Sequence, residues 1–450
     1  MNEVTVPRRL TRFSIEGLFG EFNHNIPLHS DDHVTALIGP NGMGKTACLK
    51  LIDSLFHNQW STFQSTEFRS IIFEFDDEST IFVNKEIETD GDTDVSDTLG
   101  VQFVTTFNNG SETTTETWVP RSYENFATKV GSLERHLPFL TRLGPKSYMH
   151  DATGKIMSVQ EIIESYGDRL PVSVKRSVAD EPVGHLAKIT SQIDCHLIET
   201  QRLLVFSDDY RRSGHSGSTL AISRKAQVLR EIIAKELADY AATSQSLDRT
   251  FPIRVLQHGS VLPPEDLRAN LAALDVTRKG LTDAGILDSA GDDVLPSIDQ
   301  INNELAAVLN VYVRDTQTKL GVLAKIKDRI QLFIELINDR FYPKIVTVDK
   351  NNGISVTRDV SHVVPLEKLS SGEQHQLVLF FELLFELKSN ALILIDEPEL
   401  SLHVTWQKQF IPDLKRIIDL NDFNVLLATH SPQLIGEWDE IVVELGEVDI

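Results

Sequence analysis

The run Gly39-Pro40-Asn41-Gly42-Met43-Gly44-Lys45-Thr46 combines residue types that together can hold a phosphate chain. Its glycines let successive backbone N–H groups turn toward one anion, and a helix beginning at its end would add partial positive charge. In this G-x4-G-K-T pattern Lys45 is placed to meet β and γ phosphates and the Thr46 hydroxyl to ligate Mg²⁺.

A second constellation lies far downstream and centres on Asp396, 351 residues after Lys45. The apolar run Ala391-Leu-Ile-Leu-Ile395 has the continuous character of a strand buried on both faces, and it ends in Asp396-Glu397-Pro398-Glu399. Acids at the C-terminal end of a central strand face the phosphate loop of an open α/β sheet. Asp396 is then expected in the Mg²⁺ shell, with Glu397 polarising the attacking water. A third segment, Leu369-Ser370-Ser371-Gly372-Glu373-Gln374, opens a helix-forming run. Ser370 and Glu373 stand three apart, as in a capping box, and the same N–H groups can face an anion. One γ phosphate does not need two cradles in one chain, so the expectation is that this turn closes on nucleotide held by a second copy.

The elements that must position these residues follow from periodicity. Short β-rich runs at Leu10–Ile15, Asn25–Leu28 and Val34–Ile38 lead into the loop, and Ala47–Phe56 has helical apolar spacing. Ile71–Phe75, Thr80–Asn84 and Val101–Phe107 predict an antiparallel meander. The stretch 122–204 reads as mixed and mainly helical, ending in the strand-like Cys195–Glu199 before Gln201. Ser223–Ala242, Pro264–Leu281 and Ser297–Phe341 predict an antiparallel helical arm too irregular in heptad order for a long coiled coil. A hairpin follows, Lys344–Val348 and Ile354–Arg358 around Asn351-Asn352-Gly353. The expected division is an N-terminal lobe at 1–121, a mixed segment at 122–204, an arm at 205–343 and a C-terminal lobe at 344–450. The expected fold class is α/β, a mixed sheet with an antiparallel β subdomain and a large helical insertion.

The 450 residues carry a net charge of −23, with 24% charged and 41% hydrophobic side chains, a balance that excludes whole-chain disorder or fibre. No apolar run of membrane-spanning length and no secretory h-region occurs, so a cytoplasmic chain with no membrane contact is expected. Cys48 and Cys195 are too few for a disulfide framework or a thiolate metal site. Twelve acids stand against Lys85 alone between Ser70 and Pro120, which reads as a solvated face. The acidic total argues against a wholly basic nucleic-acid surface and leaves room for a local groove.

Taken in order, Gly39–Thr46, Leu369–Gln374, Ile395-Asp-Glu-Pro-Glu399, Ser401-Leu402-His403 and Ala428-Thr429-His430-Ser431-Pro432 resemble the motif set of ABC-class ATPases. The resemblance is to the RecF, SMC and OLD branch, and within it to stand-alone bacterial AAA_15/AAA_21-type ATPases, many of which serve anti-phage systems beside a separate nuclease. It implies a Mg²⁺-dependent ATPase with Lys45, Glu397 and His430 as catalytic residues. Gly39 to Ala47 would bind ATP, joined by Ser370, Ser371, Gly372 and Glu373 from a partner copy. Thr46, Asp396 and Gln201 would hold the metal, Gln201 as the Q-loop glutamine and His430 as the switch histidine. Ser401 to His403 would form the D-loop region. Only 18 residues follow Pro432, so an OLD-type nuclease is not expected within the chain, and the implied effector is a separate TOPRIM or HNH protein. The implied partners are a homodimer or higher oligomer and that effector. The alternative is a RecF-like repair ATPase clamping DNA through Arg211-Arg212, Arg224-Lys225, Lys319, Lys325, Lys327 and Arg329.

Overall fold

The computed structural model describes residues 8–29, 31–85, 100–108, 113–120, 133, 137, 139–144, 147–151, 153–166, 181–199, 204–206, 218–257, 263–288, 303–359 and 362–446. The chain divides into two compact units, one of residues 1–201, 206–217 and 388–450 and one of residues 202–205 and 218–387. The stretch 344–387, expected with the C-terminal lobe, thus groups with the helical arm.

The first unit holds a five-stranded parallel sheet in the order Cys195–Ile198, Leu392–Asp396, Asn424–Ala428, Val34–Ile38, Val442–Glu444. Its middle strands are buried along nearly their whole length, because helix and sheet cover both faces. The helix Lys45–Phe56 packs across three of them and buries Cys48, Leu49, Leu51, Ile52 and Leu55. A six-stranded antiparallel sheet runs Phe22–Pro27, Leu10–Leu18, Ser70–Phe75, Thr80–Asn84, Gln102–Asn108, Thr113–Trp118. Alternation puts Phe13, Ile15, Ile71, Phe73, Ile81, Val83 and Phe103 into the common core. Trp60 closes this core against Phe103 and Trp118, with ring centroids 5.0 and 4.8 Å away.

The mixed segment departs from its mainly helical expectation. Besides helices Val159–Tyr166 and Gly184–Gln192 it contains a three-stranded antiparallel sheet, Leu140–Arg142, Ser147–His150 and Ile156–Ser158. Strands of three or four residues are too short for alternation to register as a pattern.

The second unit is built on helices Ala221–Gln257, Pro264–Asp283, Asn303–Val322 and Ala324–Phe341. The single helix expected over Ser297–Phe341 is broken at Leu323, whose N–H bonds the Leu320 carbonyl in a tighter i→i+3 turn. The hairpin Ile345–Asp349/Gly353–Asp359 forms as expected, and its turn is held by Asp349 Oδ1 accepting the Asn351 and Asn352 N–H groups at 2.8 Å each. The helix Ser371–Phe381 runs on into a single π turn, Glu382–Glu386. Lys225, near the start of the 37-residue helix, pairs with Glu382 at 2.9 Å and Glu386 at 2.6 Å. Two residues earlier, the Ser223 hydroxyl donates to Glu367 Oε1 at 2.7 Å. The root of the arm therefore grips both ends of the segment that carries Ser370. Phe333, Phe381 and Phe385 pack together beneath it.

The outcome is the α/β architecture expected of an ABC-type ATPase head, a parallel sheet beside an antiparallel one with a large helical insertion. Among the described residues, no helix is long and apolar enough to cross a membrane. Arg211 and Arg212 lie outside the described residues. On the arm, Lys319 is paired with Asp248 and Lys327 with Asp328, so part of the basic set is neutralised internally.

Candidate functional site

The loop Gly39–Thr46 joins the buried strand Val34–Ile38 to the helix Lys45–Phe56. Gly39 has φ 155°, and a Cβ there would lie 2.6 Å from the Leu445 carbonyl oxygen. At Gly44 φ is 86° and a Cβ would strike Leu18. Both positions therefore require glycine for space as well as for conformation. Asn41, Gly42, Gly44, Lys45, Thr46 and Ala47 line a cavity of about 450 Å³ together with Glu397 and His430. Pro40 and Met43 belong to the same loop, while Gly39 lines the adjoining cavity of about 630 Å³ beside His430, Ser431 and Pro432.

Lys45 is buried, and its ammonium donates to the loop carbonyls of Gly39 at 2.6 Å and Pro40 at 2.9 Å. Burial pulls its pKa below the ordinary lysine value, against the opposing pull of Glu397, Glu399 and Asp396. The Thr46 hydroxyl donates to Asp396 Oδ1 at 3.0 Å. Asp396 ends the strand Leu392–Asp396, and the Glu397 N–H bonds the Ala428 carbonyl of the neighbouring strand. Glu397 sits at φ 48°, ψ 54°. The following Pro398 disfavours the right-handed helical region for it, and a non-glycine residue in the left-handed region costs on the order of 1–3 kcal/mol. Such a cost at one carboxylate beside a phosphate loop marks a site that the surrounding structure enforces.

His430 lies between Lys45 and Glu397. Its Nδ1 is 3.2 Å from Lys45 Nζ and its Nε2 is 3.4 Å from Glu397 Oε1. An ammonium only donates, so Nδ1 accepts and the ring proton belongs on Nε2, facing the carboxylate. The His430 N–H donates to Glu399 at 2.6 Å, and the Ser431 hydroxyl donates to Gln407 Oε1 at 2.7 Å. The segment Thr429–Ser431 is thus tied to the turn that follows Glu397.

Thr46 and Asp396 fit a hard divalent cation: two oxygen donors meet, and the carboxyl carries a strain that a cation would relieve. Burial raises the Asp396 pKa above the usual aspartate value, with Glu397 and Glu199 adding to the rise. Among the described residues no group of three His, Cys, Asp or Glu forms a metal cage. Mg²⁺ needs none, since it keeps waters and takes phosphate oxygens beside one or two protein ligands. Because the folded state disfavours the ionised carboxyl, Asp396 opposes folding above its raised pKa, and that penalty vanishes as pH falls and the group protonates. Asp396→Asn is therefore expected to raise the thermal midpoint of nucleotide-free protein at neutral pH, with the gain shrinking toward acid. Scanning calorimetry of both proteins across pH tests this, and equal midpoints at neutral pH refute it.

Ser370 to Glu373 belong to the second unit and are organised within it. Ser370 caps the helix Ser371–Phe381 in a reciprocal capping box: its hydroxyl accepts the Glu373 N–H at 3.4 Å, and Glu373 Oε2 accepts the Ser370 N–H at 2.8 Å. Lys344 holds both Glu373 oxygens, at 2.7 and 2.8 Å. Burial pushes that carboxyl's pKa up, but the Lys344 and Ser370 contacts outweigh it and leave the group below its ordinary value.

Gln201 lies outside the described residues. Three residues around the phosphate loop were not singled out from sequence: Phe19, Lys50 and Glu399. Phe19 is 46% exposed at φ 54° on the cavity rim, between the turn glycines Gly17 and Gly20, and that placement of a large apolar residue in a Gly-x-x-Gly turn is the signal that marks it. Lys50 follows Thr46 by one helical turn and pairs with Glu199 at 3.5 Å. Glu399 stands within the acidic motif itself.

Residues 286–436, about a third of the chain, match a family model described as "AAA domain, putative AbiEii toxin, Type IV TA system". No curated protein matches the chain. Among solved structures, it is similar to an Smc head domain with an extended coiled coil bound to the C-terminal domain of ScpA from Pyrococcus furiosus, at 10% identity and a TM-score of 0.37, covering 98% of this chain and 94% of that one. It is similar also to the SMC head domain from Thermotoga maritima, at 12% identity and a TM-score of 0.33, covering 98% and 95%. Likenesses of this order carry no functional weight.

Proposed function

We propose that the chain is a Mg²⁺-dependent ATPase of the ABC class that works as a dimer or higher oligomer. In this reading the loop Gly39–Ala47 of one copy holds ATP, and the turn Ser370–Glu373 of another closes on it. The observation that carries the reading is convergence: Lys45 and Thr46, Asp396 and Glu397, and His430 come from three separated stretches and meet around one glycine-lined cavity. Loop N–H groups and Lys45 would neutralise the β and γ phosphates. Thr46 and Asp396 would hold Mg²⁺, which when bound supplies further positive charge to the phosphate oxygens. Glu397 would orient and deprotonate the attacking water, and His430, with its Nε2 proton facing Glu397, would fix that carboxylate. The Phe19 face on the rim offers an aromatic surface to the base.

At the biological level we place this ATPase as the sensor or regulator of an anti-phage system, acting on a separate effector nuclease. The support is the ordered set of motifs that resembles those of stand-alone defence ATPases, together with the toxin and type IV TA wording of the matched family model. The internally paired lysines of the arm give the DNA-clamp alternative no support. Phosphate release from purified protein with ATP and Mg²⁺ tests the enzymatic part. Lys45→Ala is expected to lose nucleotide binding and turnover together, and an unchanged rate in that variant refutes the assignment.

A further inference from the structure

His24 lies on the strand Phe22–Pro27, outside every motif above, and it reaches the phosphate loop. It is 5% exposed, and its Nε2 is 2.7 Å from the Met43 carbonyl oxygen. Strand alternation puts it on the same face as Phe22, and the two rings stack 6.0 Å apart at an interplanar angle of 9°, which fixes the imidazole's direction. A carbonyl only accepts, so Nε2 carries the proton and donates. Burial lowers the pKa of this histidine, which favours the neutral ring with its single N–H.

The consequence lies in the peptide bond. In a planar trans peptide the C=O and the next N–H point in opposite directions. Holding the Met43 carbonyl at His24 therefore turns the Gly44 N–H the other way. Gly44, at φ 86°, lines the cavity, and glycine is the residue whose flanking peptides flip most freely.

We propose that His24 is a positioning residue for the phosphate loop: its Nε2–H pins the Met43 carbonyl and so keeps the Gly44 N–H aimed at the bound phosphate chain. This rests on the nucleotide reading given above. His24 touches no reacting atom; it acts by removing the flipped peptide, in which a carbonyl oxygen would face the anion.

The test compares His24→Leu, which keeps the bulk and loses the donor, with His24→Gln, whose amide N–H can take the place of Nε2–H. Titration calorimetry with ADP and with ATP is run on both variants and the parent, with thermal midpoints in parallel. His24→Leu is expected to weaken both nucleotides by about tenfold, the worth of one hydrogen bond to a charged group, while turnover at saturating ATP stays within about twofold. His24→Gln is expected to recover most of the affinity. Parent-like binding by His24→Leu overturns the proposal, as does a His24→Gln protein as weak as His24→Leu with an unchanged midpoint. Parent protein that binds no nucleotide overturns the proposal and the nucleotide reading together.

Discussion

Glu397→Gln protein is expected to bind ATP as tightly as the parent and to turn it over roughly 10²–10⁴-fold more slowly, the usual contribution of a positioned general base. The amide keeps the size of the carboxylate and its place after the strand, where the backbone N–H of residue 397 bonds Ala428 and not the side chain. What it loses is the ability to take a proton from water. Binding and chemistry should therefore separate, with the nucleotide retained as triphosphate. Chromatography of the nucleotide recovered from the variant after incubation decides the matter. Recovery of ADP at the parent's rate would remove Glu397 from the role of base and direct attention to Glu399, which bonds the His430 N–H.

An equal mixture of Lys45→Ala and Ser370→Arg proteins should regain activity that neither has alone. If each site takes its lysine loop from one copy and its serine turn from another, random pairing makes half the dimers mixed. Each mixed dimer has one intact site, so about a quarter of parental turnover returns. Ser370→Arg removes a helix cap worth about 0.5–2 kcal/mol, but the Lys344 clamp on Glu373 remains to hold the helix start. A helical signal and thermal midpoint close to the parent's would confirm that the variant folds. Turnover that merely follows the amount of Ser370→Arg protein shows sites complete within one chain, and the oligomeric mechanism fails.

The residues of the phosphate loop and the acids after Ile395 were legible because they depend on local order. A buried strand, a glycine turn and a helix are contiguous, and the strand Val34–Ile38 has the expected bounds. Strand order in the parallel sheet was not legible: nothing local in Cys195–Ile198 says that it pairs with Leu392–Asp396. The grouping of Ser370 with the arm was hidden for a related reason. The run Leu377-Val-Leu-Phe-Phe381 announces burial, but it is apolar on every side and does not say which neighbour buries it. The break at Leu323 has only Gly321, two residues earlier, to signal it, and a lone glycine inside a helical pattern does not by itself end a helix. His24 escaped notice because its partner is 19 residues away and a lone histidine in a strand carries no motif.

The π turn Glu382–Glu386 has a geometric consequence for the segment that precedes it. A five-residue ring holds one residue more than the regular helical ring, and each residue of an α-helix corresponds to about 100° of rotation. The azimuth of the Ser370 hydroxyl about its helix axis is therefore set by that surplus residue, against the fixed reference of the Lys225 ammonium bridging Glu382 and Glu386. Resorbing the surplus would swing the serine through more than a quarter of a revolution while leaving its cap intact. The heading of that hydroxyl is thus fixed by the winding of the helix behind it.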